Sequence, residues 1–315
     1  MNTLTNLPPE VAQQMAMRLL ARPQPNLVAD IGSYYISMEQ NQGNIIRQSR
    51  YSNLPTQPVA LGPTGQNPAP MILSRLDTDA ELQWYGGFVA LTEQVMMINE
   101  DRVLVETVDL LSQCLKETKD QLQRENQVNT AAFVNCVGGG NGDNPTELTA
   151  TDIEDIIMLL RNNSARFLMD NIEGDLKFGT GPLRDAYVAC TNTAMIADLR
   201  LLSGYLNVAA YPSMDDVRQE EWCSVSNLRF FLSPLWPVSA NASALGNDVQ
   251  NIIVKGMEAV CCVDLDGYSV QYRYTPKEIA GGPLWLYGTS GFVFAEADKV
   301  VNTNWIYDLR CTVRT

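Results

Sequence analysis

The sequence predicts an α+β fold, and three observations carry that expectation. Between about 99 and 206, apolar residues recur at helical spacing. From about 222 onward, short apolar runs such as "CSVSNLRFFLSPLWPV" and "NIIVKGMEAVCCV" are split by Pro, Gly and Asn, as strands are. Two strand-like flanks also enclose a long tip, "RYSNLPTQPVALGPTGQNPAP" (50–70), which reads as a protruding β-hairpin. Helices and strands do not follow βαβ order, so a doubly wound parallel sheet is not expected.

Residues 1–43 read as an arm. Pro8 and Pro9 open a short amphipathic helix, "EVAQQMAMRLLA", with Val11, Met15 and Leu19 on one side, and Pro23 and Pro25 stop it. The hairpin occupies 44–92. Its tip holds Pro55, Pro58, Pro63, Pro68, Pro70, Gly62 and Gly65, with Arg50 its single charged residue. Such a tip buries too little apolar surface to offset its own chain entropy. Loops beyond about 12–15 residues are usually functional or disordered, and function is favoured here.

The strongest helix signal is 99–126. Asn99 is a plausible N-cap, and Glu100 and Asp101 sit where the helix dipole favours negative charge. Leu104, Val108, Leu111, Leu115, Thr118 and Leu122 form one stripe, so one face packs on the rest of the subunit. Thr118 and the lack of further heptads count against a two-chain coiled coil. "VGGGNGDNPTEL" (137–148) is a glycine-rich connection without the Lys-Ser/Thr ending of a phosphate loop. The next helix starts with Thr151 and Glu154 at capping-box spacing and buries Ile153, Ile156, Ile157 and Leu160. A further helix is expected over 193–206, using Ile196, Leu199 and Leu202.

Composition narrows the chemistry. The chain has 315 residues, 45% hydrophobic and 18% charged, and no histidine, which removes His-based triads and the usual zinc enzyme sites. Seven cysteines without a CxxC pair read as reduced, mostly buried thiols. No membrane span and no secretory signal are expected. Asp215-Asp216, Glu220-Glu221 and Asp264 with Asp266 are read as solvated acidic surface; "DLDG" (264–267) starts like a calcium loop but lacks the closing Glu. No basic stripe with interleaved aromatics points to nucleic-acid reading. No cofactor, metal or catalytic residue is expected. Net charge is −14, with +2 over residues 1–76 and −16 over the remainder, which suggests an arm lying on acidic neighbours.

In this order the parts resemble the major capsid proteins of tailed double-stranded DNA bacteriophages, in the Hong Kong 97 fold, and most of all the N-four-like podovirus branch. "IIRQSRYSNLPTQPVALGPTGQNPAP" is similar to that branch's arginine-tyrosine strand and extended loop, with Leu61-Gly62 where an acidic-glycine pair is usual. "ELQWYGGFVALTEQ" and "DRVLVETVDLLSQCLKETKDQL" resemble its tyrosine-glycine strand and spine helix. "YVACTNTAMIADLR" (187–200) is similar to the segment entering the axial domain. In "EEWCSVSNLRFFLSP" (220–234), Glu221 and Arg229-Phe230 carry the match. "LYGTSGFVFAEADKVVNTNWIYDLRC" resembles the final strand pair. The likeness spans about 44–311.

The resemblance implies an α+β Hong Kong 97-type fold: N-terminal arm 1–43, extended loop 44–92, peripheral domain 93–175 and 292–315 with its spine helix at about 99–126, and axial domain 176–291. It implies a structural virion protein, not an enzyme, whose copies assemble as hexamers and pentamers of an icosahedral shell around phage DNA. The loop would drape over an adjacent subunit through Arg47, Arg50, Tyr51, Leu54, Pro58, Leu61, Pro63, Pro68, Pro70 and Arg75, while Leu104, Val108, Leu111, Leu115 and Leu122 pack the spine helix. The loop has no lysine, so the lysine–asparagine cross-link known in this fold is not expected. Other expected partners are a separate scaffolding protein, since only about 45 residues precede the loop, a portal protein, cement or decoration proteins, and packaged DNA through weak non-specific contact. Assembly would take place in the bacterial host cytoplasm. An encapsulin-like shell or another phage component is the alternative, and a carboxylate-dependent hydrolase a remote one.

Overall fold

The computed structural model describes residues 25–54, 56, 70–98, 103–167, 186–211, 217–280, 284 and 286–314. The expected amphipathic helix at 10–21 lies outside them. The described chain opens with β1 (Tyr34–Met38), β2 (Ile45–Tyr51), β3 (Arg75–Glu81) and β4 (Gln83–Thr92). Helices α1 (Glu93–Ile98) and α2 (Val103–Thr130) follow, then β5 (Ala132–Asn135) and α3 (Ala150–Asn162). Next come β6 (Tyr187–Asn192), α4 (Ile196–Leu201) and β7 (Tyr205–Asn207). The remainder is β-rich: β8 (Glu221–Val225), β9 (Leu228–Ser233), β10 (Val238–Ser239), β11 (Val249–Lys255), β12 (Val260–Leu265) and β13 (Gln271–Thr275). The short α5 (Lys277–Ala280) precedes β14 (Tyr287–Val300) and β15 (Ile306–Thr312).

These strands form three sheets. The largest runs β5-β15-β11-β6-β9-β8-β7, with β10 on β11. Every residue of β11 is buried, because the sheet is covered on both faces. Ile252 and Val254 point to a core with α3 and α4, through Ile153, Ile156, Leu160, Met195 and Leu199. Ile253 points the other way, to Val28, Ile31, Trp236 and Val260. A second sheet runs β1-β12-β14-β13 with β4 on β14. Its inner face packs under α2, where Leu111 meets Phe292 and Phe294, with Leu115 and Leu122 alongside. The third sheet is β2 and β3 alone.

Several expectations change. The long helix is observed from Val103 to Thr130, and 99–102 lie outside the described residues. Its buried face is only partly the expected stripe: Leu111 is buried and Leu104, Val108, Leu115 and Leu122 are half-buried. Thr107, Asp120, Gln123 and Gln127 are buried beside them. The helix expected over 193–206 is a 3₁₀ turn (Thr193–Met195), then α4 to Leu201, and Tyr205–Asn207 is already strand. The border drawn at 291/292 falls inside β14, and β15 belongs to the large sheet beside β11. Glu221, expected at the surface, is buried with Arg229, whose Nε donates to it at 2.9 Å, and the Tyr211 hydroxyl donates to the same carboxylate at 2.8 Å.

The α3 cap is Thr149 with Asp152, not Thr151 with Glu154. Buried Asp152 explains the shift, because one of its oxygens accepts from the amides of Val137, Gly138 and Gly139 at 3.1, 3.0 and 2.9 Å. Gly138, Gly139 and Gly140 all have positive φ, so the glycine run forms a nest of amides around an anion. That anion is the protein's own carboxylate. Asp152→Ala strands those amides and is expected to cost about 3 kcal/mol, measured by denaturation of the full chain; a change within about 0.5 kcal/mol would contradict the assignment.

Candidate functional site

Among the described residues no group of three or more His, Cys, Asp or Glu could hold a metal ion. Asp215 and Asp216 lie outside the described residues, and Asp264 and Asp266 sit half-buried and exposed at the end of β12. Cys261 and Cys262 are buried free thiols in that strand, and of the seven cysteines Cys114 is the exposed one. No helix among the described residues is long and apolar enough to cross a membrane. The hairpin exposes three consecutive large apolar residues, Met71, Ile72 and Leu73.

β2 and β3 pair in antiparallel register from Ile45–Glu81 to Tyr51–Arg75, and the Ser52 amide continues the ladder to the Ser74 carbonyl at 2.9 Å. The root is anchored: Ala80 and Leu82 are buried with Met38, Cys261, Val263 and Ala297. Beyond the root the described residues provide little cover. Ile72 is 87% exposed, Leu73 66% and Tyr51 63%, and Leu54, Met71 and Leu76 are exposed too. A cleft of about 830 Å³ separates the hairpin from the body, with Tyr51 and Leu76 on one wall and Asn163, Arg166 and Trp305 on the other.

Two ion pairs form within the hairpin. Arg47 donates twice to Asp79, at 2.7 and 2.8 Å, and Arg75 to Asp77 at 2.6 Å. The Arg47 guanidinium holds the Asp79 carboxyl below its ordinary range. Counted over 44–92, Arg47, Arg50 and Arg75 are balanced by Asp77, Asp79 and Glu81. The basic balance read over residues 1–76 therefore stops at a boundary that cuts the return strand off from its partner.

Of the residues expected to reach another subunit, Arg47 and Arg75 are exposed ion-pair members. Arg50, Tyr51, Leu54 and Pro70 are exposed, while Pro58, Leu61, Pro63 and Pro68 lie outside the described residues. Met71, Ile72 and Leu73 were missed. Three consecutive apolar residues have no period, so the sequence could not say which way they face.

The arm's last residues behave differently from the hairpin. Asp120 on α2 accepts the amides of Val28 and Ala29, both at 3.0 Å. The Ala29 carbonyl receives Gln127 and the buried Lys255, each at 2.7 Å, and the Asn26 carbonyl receives the Ser233 hydroxyl at 2.6 Å. Burial raises the Asp120 pKa and lowers that of Lys255. Residues 26–33 are thus held by their own chain.

No family model and no curated protein matches this sequence. Solved structures do. The chain is similar to a chain of the capsid structure of the cyanophage P-SCSP1u at TM-score 0.66 and 10% identity, covering 96% of this chain and 93% of that one. It is similar to the cyanophage Pam1 capsid at TM-score 0.66 and 13% identity, covering 96% and 97%. The head of Helicobacter pylori bacteriophage KHP40 aligns at TM-score 0.65 and 13% identity, covering 99% and 97%. At such identities the likeness is one of fold, and it runs the length of both chains: this is the α+β, Hong Kong 97-type capsid fold.

Asp120→Ala leaves two buried amides of the strap without an acceptor. Local opening of 26–33 is expected to become easier by about 2 kcal/mol, read as faster hydrogen exchange there; unchanged protection would contradict the anchoring role.

Proposed function

We propose that the chain is the major capsid protein of a tailed double-stranded DNA phage, a structural protein whose copies close into an icosahedral shell. The carrying observation is the hairpin: an apolar, charge-balanced limb, fixed at its root, whose apolar side chains stand exposed among the described residues. A monomeric soluble protein has no reason to hold Tyr51, Leu54, Met71, Ile72, Leu73 and Leu76 in water together. The full-length likeness to phage capsid structures supports the same reading.

In this reading the hairpin lies over a neighbouring copy within a hexamer or pentamer. The order of sequence segments favours the N-four-like branch. The helix-rich part with α2 forms the peripheral domain, and the strands from β6 to β13 contribute the axial domain. A separate scaffolding protein and a portal complete assembly in the bacterial host cytoplasm, and cement proteins can add to the non-covalent contacts. The chain's −14 charge keeps its contact with packaged DNA weak and counterion-mediated. The particle, the virion capsid, is where the protein acts.

Burying an Ile or Leu side chain contributes about 1.5–3 kcal/mol, repeated at every copy of the interface. Ile72→Asp with Leu73→Asp is therefore expected to leave folded subunits, with wild-type circular dichroism, that elute as monomers or small oligomers while the wild-type chain elutes as large particles. Shells from the double variant at wild-type yield would overturn the reading.

A further inference from the structure

The joint between the hairpin and the body contains groups that neither the fold nor the shell reading uses. Glu296 and Asp298 are two residues apart on β14 and face the same way. They meet Glu81 and Tyr85 from the hairpin root and Leu122 and Asn126 from α2 around a cavity of about 160 Å³. Glu296 is ion-paired with Lys119 at 2.9 Å and accepts from the Gln123 amide at 3.1 Å. One oxygen of Asp298 and the side-chain nitrogen of Asn126 are both buried and have no hydrogen-bond partner. Asp298 lies directly across the ladder from Cys262, and Glu296 from Asp264.

Charges around this cavity are lopsided. Glu81 and Glu296 face Asp298 from the hairpin and from its own strand, and Tyr85 and the Cys262 thiol add groups that are neutral at ordinary pH. Lys119 is the near cation and is already paired with Glu296. Lys255 on β11 is more distant and is bonded to the strap, and Tyr35 on β1 faces Glu296 and Cys262 and stays neutral.

We propose that Asp298 is a proton-operated latch between hairpin and spine helix. With its proton on, the carboxyl is neutral, adds no charge beside Glu81 and Glu296, and lets the root close on α2. With the proton off, a further negative charge stands beside two carboxylates with no cation of its own, and the root opens to hydrate it.

The direction of titration agrees. Burial, then the neighbouring Glu296, pushes the Asp298 carboxyl up from the ordinary carboxylate range to about 7. A raised pKa in the closed joint means closure is favoured below the ordinary carboxylate range and is progressively lost as pH rises through about 7. The latch concerns one subunit's joint and does not depend on what the hairpin reaches.

Hydrogen exchange of residues 79–92 and 115–130 in the full chain, at about pH 5.5 and about pH 8.5 and corrected for intrinsic rates, tests it. Opening at the higher pH is expected to be on the order of tenfold more frequent in the wild type. It should be nearly equal at the two values in Asp298→Asn. Asp298→Ser, also neutral throughout, serves if the asparagine variant does not fold. A wild-type joint that exchanges alike at both values, or a variant that keeps the wild-type contrast, would overturn the latch.

Discussion

A two-stranded antiparallel ribbon has no second layer on which to bury side chains, and by itself it is marginal in water. β2 and β3 form such a ribbon, and their outward apolar residues continue past the ladder into Met71, Ile72 and Leu73. Elsewhere the large sheet is covered on both faces, and the second sheet by α2 on one. The missing layer of the hairpin is therefore the constraint to which the body answers. It must present that limb stiffly and leave its contact surface free.

β14 does most of the presenting. Its fourteen residues pair with β4, which continues the hairpin's return strand, and with β12 and β13 on the other edge, while Phe292 and Phe294 lie under α2. A load on the hairpin root thus passes into the sheet and the long helix together. The strap at 26–33 ties α2 to the large sheet by buried polar bonds. Polar ties of this kind contribute modestly to net stability, but leaving one partner unmatched is costly, so they fix a single arrangement.

How much of this was legible follows from where the signals lie. The α3 face was readable because Ile153, Ile156, Ile157 and Leu160 follow helical spacing and all meet one core. The hairpin was readable from its proline-rich tip and its flanks. The polar underside of α2 was not, because Asp120, Gln123 and Gln127 look like a solvated face until partners some ninety or more residues away in sequence are placed opposite them. The Thr149 cap was hidden for a related reason: Asp152 owes its position to the glycine nest as much as to its own helix. Glu221 read as surface acid because its match, Arg229, becomes visible only when β8 and β9 pair.

The central claim is that the hairpin finds its missing layer on another copy of the same chain. Electron cryomicroscopy of the purified full-length protein tests it most directly. Closed shells in which residues 70–76 of each subunit are covered by a neighbouring copy are expected. A stable monomer whose hairpin folds down and covers those residues with its own body would contradict it.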